Sequence, residues 1–350
     1  MVYCGDVAIG GGAPVSIQSM TNVDTRDTAA LVRQIDELAD AGCQIVRCAI
    51  PDMQAAESLG RAKKLTSVPL VADIHFDYKL ALAAIDAGAD KIRINPGNIG
   101  SADRVKAVVD KAREHDIPIR VGVNSGSLQK DLIDKYGGVT ADALAESGAG
   151  MVRYIEDLGY DKLVVSIKSS NVRMNYDAHL KLKDLTDAAI HIGITESGTP
   201  RNGELKSAIG IGSLLLAGIG DTMRVSLTDD PVKEVLLARR ILETVGLREK
   251  AIDVVSCPTC GRTEVDLIGL ANEAEERLMP IAQRRAEEGR RPLKIAVMGC
   301  AVNGPGESRE ADYGIAGGKG EGLVFSHGEI IEKVSEDMLI DRLIELVAND

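Results

Sequence analysis

A (β/α)8 barrel followed by a smaller α+β module is the fold class that this sequence predicts, and three observations predict it. From residue 14 to about 246 one unit recurs eight times: a short β-rich run, a polar turn, then a helical stretch rich in Ala and Leu. Eight such units over about 230 residues match the size of a closed barrel. The glycine fingerprint that an open doubly wound sheet carries after its first strand is missing, because Gly10-Gly11-Gly12 precedes the first strand.

The expected barrel strands are Val15–Gln18, Ile45–Cys48, Leu70–Ala72, Lys91–Ile94, Ile117–Val121, Leu163–Ile167, Ala189–Ile194 and Thr222–Ser226. The helical stretches between and after them are Thr28–Ala41, Met53–Leu65, Tyr78–Ala87, Ala102–Glu114, a longer segment over Leu128–Leu158, Asp177–Asp187, Arg201–Ala217 and Pro231–Val245, each with apolar residues three and four apart. Ala41-Gly42 and Ala87-Gly88 end their helices as glycine stops should. The barrel is therefore assigned to residues 1–247 and the module to 248–350. In the module, a charged helix over Glu264–Glu288 has Val265, Ile268, Leu278 and Ile281 on one side. A strand at Leu293–Val297, short strands at Gly314–Ala316 and Leu323–Phe325 and an amphipathic helix at Glu336–Val347 complete it.

Composition excludes several function classes. A net charge of −12 and an aromatic content of seven Tyr, two Phe and no Trp leave neither the basic face nor the stacking surface that a nucleic-acid partner requires. No run approaches the roughly 18 apolar residues of a membrane span, and the N-terminus lacks a secretory pattern. The expected location is the cytoplasm, where six Cys read as thiols or metal ligands rather than disulfides.

Active sites of such barrels lie at the C-terminal strand ends. Those positions hold Arg47, Arg93, Arg120 with Asn124, Lys168, Glu196, and Arg224 with Ser226; Asp73 and His75 follow the third strand. Barrel strands are buried on both faces, so five cations among them call for an anion, and a diphosphate or polyphosphate suits the forked donors of Arg. The competing reading pairs each Arg with a strand-end carboxylate. Glu196 is either a partner of Lys168 or a contact to a substrate hydroxyl. Asp73 and His75 are either packing or catalytic. His191, inside the seventh strand, is expected to be a satisfied buried imidazole, and Cys43 and Cys48 are expected to fill core volume.

The module carries Cys257-Pro258-Thr259-Cys260-Gly261-Arg262 and, beyond an apolar run, Met298-Gly299-Cys300-Ala301-Val302-Asn303-Gly304-Pro305-Gly306-Glu307. Thiols two residues apart can reach one metal from a single tight loop. Three thiols with no histidine beside either loop leave a closed four-ligand zinc site short of a ligand, whereas an iron–sulfur cluster accepts a non-Cys ligand or an open iron. A zinc knuckle or a redox dithiol is the alternative. Cluster and phosphate-binding mouth together point to a reductive enzyme acting on a phosphorylated metabolite. The rivals are a non-redox pterin- or phosphosugar-binding barrel with a zinc-stabilised module, and a redox-sensing element on a degenerate barrel.

Several motifs go further. Pro14 to Asn22 (PVSIQSMTN), Ala72-Asp73-Ile74-His75-Phe76, Arg93 to Asn98 (RINPGN), Arg120 to Gly126 (RVGVNSG), Thr195-Glu196-Ser197-Gly198 and both cysteine loops resemble, in order along nearly the whole chain, the bacterial 4-hydroxy-3-methylbut-2-enyl diphosphate synthases of the methylerythritol phosphate pathway. The resemblance implies a [4Fe–4S] cluster on Cys257, Cys260, Cys300 and Glu307, with the Glu able to leave its iron for a substrate oxygen. It implies diphosphate binding by Arg47, Arg93, Arg120, Asn124, Lys168, Arg224 and Ser226, and an acidic substrate contact or proton-transfer residue at Glu196. The implied reaction is the two-electron reductive ring opening and dehydration of 2-C-methyl-D-erythritol 2,4-cyclodiphosphate. The implied donor is reduced flavodoxin or ferredoxin, and the implied assembly is a homodimer in which the cluster domain of one chain caps the barrel of the other. The interval from Val245 to Cys257 is too short for the extra domain of one family branch, so the two-domain type is expected.

Overall fold

The computed structural model describes residues 1–301 and 308–350, in two compact units, Met1–Arg248 and Glu249–Asp350. The first opens with a hairpin, β1 (Val2–Cys4) and β2 (Val7–Ile9), that the sequence reading missed. Its strands are three residues long, too short for an alternation to register. Gly10, Gly11 and Gly12 then turn the chain at positive φ, from 65° to 85°, which residues with a Cβ rarely adopt.

The barrel follows. Its strands are β3 (Ser16–Met20), β4 (Ile45–Ala49), β5 (Leu70–Asp73), β6 (Lys91–Ile94), β7 (Ile119–Asn124), β8 (Leu163–Lys168), β9 (Ala189–Ile192) and β10 (Thr222–Met223). All pair in parallel, and β10 closes against β3. The helices are α1 (Thr28–Asp40), α2 (Met53–Lys63), α3 (Tyr78–Asp86), α4 (Pro96–Ile99), α5 (Ala102–Glu114), α6 (Lys130–Tyr136), α7 (Ala141–Glu156), α8 (Val172–Lys183), α9 (Pro200–Leu216) and α10 (Pro231–Thr244). Asp27, Asp52 and Asn171 each cap a helix through a side-chain oxygen that accepts a backbone N–H, so these three starts are local decisions.

The main core lies between the strands and the helices. Ile17, Val46, Cys48, Ile92, Val121 and Val165 face outward from the sheet onto Leu31, Leu59, Val108, Val152 and their neighbours. Cys43 and Cys48 sit in this layer as small buried hydrophobes. Three sequence expectations shift. The single helix over 128–158 is two helices, because Gly137 and Gly138 have φ of 69° and 149° and Thr140 starts α7 by accepting the Ala143 N–H. The helix expected from Asp177 begins at Val172, behind its Asn171 cap. The eighth strand stops at Met223, since the Leu227 N–H turns away to donate to Glu234 Oε1 at 2.8 Å.

The second unit is a five-stranded sheet in sequential order: β11 (Ile252–Ser256), β12 (Leu293–Met298), β13 (Tyr313–Gly317), β14 (Glu321–Ser326) and β15 (Glu329–Ser335). The first three run parallel, and β14 and β15 return antiparallel. β11 and β15 were not expected. β15 reads Glu-Ile-Ile-Glu-Lys-Val-Ser, with Ile330 and Ile331 exposed and Val334 packed on the core, so no apolar alternation marks it in the sequence. Two helices, α11 (Leu267–Glu287) and α12 (Leu339–Asn349), cover one face with Leu267, Ala274, Leu278, Leu339, Leu343 and Val347. Ile268, expected on the apolar side of α11, is exposed: the core-facing stripe of the helix runs Leu267, Ala271, Ala274, Leu278 and Ile281, at three- and four-residue spacing, and Ile268 falls beside it.

Candidate functional site

Following the strand register around the barrel sorts inward side chains into layers, each drawn from alternate strands. Arg47, Arg93, Ser166 and Arg224 form one such layer, on β4, β6, β8 and just past β10. Met20, Asp73, Gly122 and the residue after β9, Gly193, form the next one toward the C-terminal strand ends. Two glycines in one layer leave room for long neighbours. A Cβ on Gly193 would lie 3.0 Å from Lys168 Nζ and 2.6 Å from the Arg224 carbonyl, and one on Gly122 would lie 3.4 Å from Arg93 Nε. Small residues here let cationic heads enter the mouth.

Five cations therefore meet at one end of the barrel, with two carboxylates beside them. Asp73 is nearly fully buried and bridges Arg93 Nη1 at 3.2 Å and Arg47 Nε at 3.7 Å. Glu234, also buried, takes Arg224 Nη2 at 3.3 Å, the Ser19 hydroxyl at 3.2 Å and the Leu227 N–H. Among the described residues Arg120 and Lys168 have no ion-pair partner, and Arg120 Nε and Nη1, Arg93 Nε and Arg224 Nε lack any hydrogen-bond partner. Neighbouring carboxylates thus account for three of the cations at most.

The electrostatics follow. Burial, reinforced by Arg47 and Arg93, holds the Arg120 guanidinium well below its usual value. Burial and the four arginines do the same to the Lys168 ammonium, and burial pushes Arg47 down to about 10 against the pull of Asp73. Burial raises Asp73, but Arg47, Arg93 and Arg120 outweigh it and keep the carboxyl below the ordinary range. A cluster of this sign, short of counter-charge and backed by low-dielectric walls, focuses a strong positive potential on the mouth.

The remaining expected residues fall around it. Asn124 ends β7 in register with Lys168, and Ser226 lies in the loop after β10. Glu196 is exposed in the loop after β9, at φ 52°, a left-handed conformation uncommon for Glu and of the kind found at functional loops. His75 is exposed, with Nε2 3.6 Å from Asp73 Oδ2. Sequence reasoning missed Glu234. It lies on α10 rather than at a strand end, and its only sequence signal is a carboxylate on the inward face of a helix. His191 departs from expectation: neither ring nitrogen has a partner. His179, in contrast, shares a 2.7 Å hydrogen bond with the Asn175 carbonyl.

In the second unit, β11 and β12 pair with Ser256 opposite Val297, so Cys257 and the Cys300 loop leave the same end of two adjacent parallel strands. The Gly299 N–H donates to Cys257 Sγ at 3.3 Å, and the Cys260 N–H donates to Thr263 Oγ1 at 3.1 Å. A backbone N–H of Arg262 is the main cause that lowers the exposed Cys260 thiol toward thiolate. All three thiols are free. Glu307 lies outside the described residues. Among those described, no three His, Cys, Asp or Glu side chains converge closely enough to hold a metal ion. Two thiols flanking one loop, a third on the neighbouring strand's loop and N–H donors aimed at sulfur are a donor set suited to a soft, sulfur-rich centre.

Comparison with known proteins bears on both units. The GcpE TIM-barrel domain matches residues 1–239, and the GcpE protein C-terminal domain matches residues 253–349. A 4-hydroxy-3-methylbut-2-en-1-yl diphosphate synthase (flavodoxin) of Clostridium acetobutylicum is 53% identical over 99% of this chain and 97% of its own length. The like-named protein of Geobacter sulfurreducens is 55% identical over 98% and 95%. Among solved structures, the type I 3-dehydroquinate dehydratase of Clostridium difficile superposes with a TM-score of 0.51 over 69% of this chain and 97% of that one, at 14% identity; this is a likeness of fold alone.

The Asp73 bridge sets a pH test. Its carboxyl is depressed in the folded chain, so its stabilisation is full above the ordinary carboxylate range and lost as pH falls through the folded value. Asp73→Asn leaves two buried guanidinium groups without their shared partner and should cost about 3–5 kcal/mol at pH 7. In urea titrations the gap to the parent chain should close steadily below about pH 4; a gap independent of pH would remove the bridge from the account.

Proposed function

Because the chain belongs to the GcpE family, we propose that it is a 4-hydroxy-3-methylbut-2-enyl diphosphate synthase. In this reading it opens the ring of 2-C-methyl-D-erythritol 2,4-cyclodiphosphate with two electrons and releases water. The observation that carries the substrate assignment is the mouth itself: five cations, three of them buried and two partly buried, against two carboxylates, a surplus that a cyclic diphosphate matches in charge and in its need for forked donors. Arg47, Arg93, Arg120, Lys168 and Arg224 grip phosphate oxygens, and Asn124 and Ser226 donate to the remaining ones. Asp73 and Glu234 hold three of the guanidinium groups in place before substrate arrives, which lowers the ordering cost of binding. Glu196, exposed at the rim, contacts the substrate or exchanges a proton with it.

Cys257, Cys260 and Cys300, with Glu307, would hold a [4Fe–4S] cluster, whose chemistry is one-electron delivery and Lewis-acid contact with a substrate oxygen. The donor set fits: thiols free of disulfides on adjacent loops, with a backbone N–H already directed at Cys257 Sγ. The named relatives carry flavodoxin in their names, and reduced flavodoxin is the donor proposed here over ferredoxin. No helix of the described residues is long and apolar enough to cross a membrane, and the cytoplasm is the compartment proposed.

A homodimer is proposed with the cluster domain of one chain capping the barrel of its partner. Helix α9 supports the pairing of barrels. Gly203, Ser207, Gly210, Ile211 and Leu214 are buried, yet Leu205, Ile209 and Leu216 on the opposite side are 62%, 54% and 74% exposed. Such a second apolar stripe on a surface helix needs a cover.

Three outcomes test this reading. Anaerobically purified protein should be brown, contain iron and acid-labile sulfide, and turn over the cyclodiphosphate with an artificial reductant; Cys300→Ser should lose most of the iron while far-ultraviolet circular dichroism stays unchanged, because the barrel core is separate. One zinc per colourless chain would end the proposal. Arg120→Ala should lower kcat/KM about 100-fold with iron content intact, and unchanged kinetics would exclude Arg120 from the site. Leu205→Glu combined with Ile209→Glu should shift sedimentation from dimer to monomer.

A further inference from the structure

The barrel interior beneath the mouth is polar, where such interiors are ordinarily filled by branched aliphatic side chains. Register places Gln18, Val71, Arg120 and His191 in one layer, from β3, β5, β7 and β9. It places Ile45, Lys91, Val164 and Thr222 in the layer below, from β4, β6, β8 and β10. Val2, Cys4 and Ile9 of the N-terminal hairpin pack under these layers with Ile45, Val71, Val164 and Ala189, so the floor is closed and apolar.

Gln18, Lys91, Arg120, His191 and Thr222 are at most 2% exposed. Both amide atoms of Gln18, Lys91 Nζ, Arg120 Nε and Nη1, both ring nitrogens of His191 and Thr222 Oγ1 lack any hydrogen-bond partner. Buried polar groups in native proteins find partners, and buried cations find counter-charge. Neither is supplied here by the protein. The two layers hold two cations and no carboxylate: Asp73, which acts on Arg120, lies higher up on Arg93 and Arg47, and Asp90, which acts on Lys91, is engaged by Lys63 at 2.7 Å and by the Leu70 N–H at 2.7 Å. The thiol below is no substitute, since burial pushes Cys4 up to about 11 and keeps it protonated. The inventory is dominated by donors: an ammonium, the edge of a guanidinium, an amide N–H2 and a hydroxyl. Water would satisfy the dipoles but leave both charges uncompensated.

We propose that these layers form an internal site for a small monovalent inorganic anion of halide size, held by Lys91 Nζ, Arg120 Nε and Nη1, the Gln18 amide and the Thr222 hydroxyl. The site lies beneath the mouth and shares Arg120 with it, while Lys91, Gln18 and Thr222 belong to the lower site alone; it does not depend on the reaction assigned above. Its role is to neutralise the charge under the mouth, so that the cations above it face outward to a larger anion without a repulsive base.

The test uses the full chain in sodium bromide against sodium gluconate at equal ionic strength, with saturating inorganic pyrophosphate present to occupy the mouth. Bromide should raise Tm by several degrees over gluconate, and bromide-grown crystals should show an anomalous peak between Lys91 and Arg120. Lys91→Met should abolish the bromide increment and the peak. Should that variant not fold, Thr222→Val, which keeps the shape and removes one donor, should at least halve the increment. Ordered water without anomalous signal, bromide confined to the mouth, or a bromide increment that survives in the folded variants would each overturn the proposal.

Discussion

Positive charge held inside a closed sheet is the constraint on which the rest of this structure depends. Arg47, Arg120 and Lys168 are each less than a tenth exposed, and Arg93 and Arg224 only slightly more. Guanidinium and ammonium groups leave water at a cost of several kcal/mol each unless they are paired. The fold meets part of that cost with Asp73 and Glu234 and leaves the remainder unmet. A protein interior that tolerates such a surplus is poised to take up anions, and binding then recovers free energy that folding gave up. Strain of this kind, stored at a site, is a form of preorganisation.

The surrounding features serve this arrangement. Gly122 and Gly193 remove side chains from one interior layer so that Arg93 and Lys168 can reach the mouth. Glu234 ties α10 to β3 and to the end of β10, so the carboxylate that orients Arg224 also clamps the closing seam, where β10 and β3 share two register pairs. Removing it would disturb site and closure together. The cysteine loops obey a different logic. They are placed by backbone, at the same end of two adjacent parallel strands, and a sheet register delivers thiols from distant sequence positions to one edge.

Much of the barrel was legible because its signals are local. Eight apolar runs and the glycine stops after Ala41 and Ala87 are each decided within a few residues. The hairpin over residues 2–9 escaped because strands of three residues are too short for an alternation to register, and β15 because its apolar residues do not alternate; both exist through pairing with a neighbour. Ile268 was misplaced because the apolar stripe of α11 runs through Leu267, and one residue along a helix turns a side chain by about 100°. The cations at the strand ends stood out against a net charge of −12, since a buried strand has no other use for them.

The sequence by itself determined the element order, the eight-fold repeat, the list of strand-end cations and the three thiols in their two loops, because each is a property of residue type and spacing. Only the tertiary structure decided which carboxylates those cations meet, that Glu234 lies against Arg224, and that Gln18, Lys91 and His191 are buried without partners. The physical reason is closure. Charge balance and hydrogen-bond satisfaction are sums over neighbours brought together by the ring of strands, and Asp73 with Arg93, or Glu234 with Ser19, become neighbours only when β10 meets β3 and the barrel shuts.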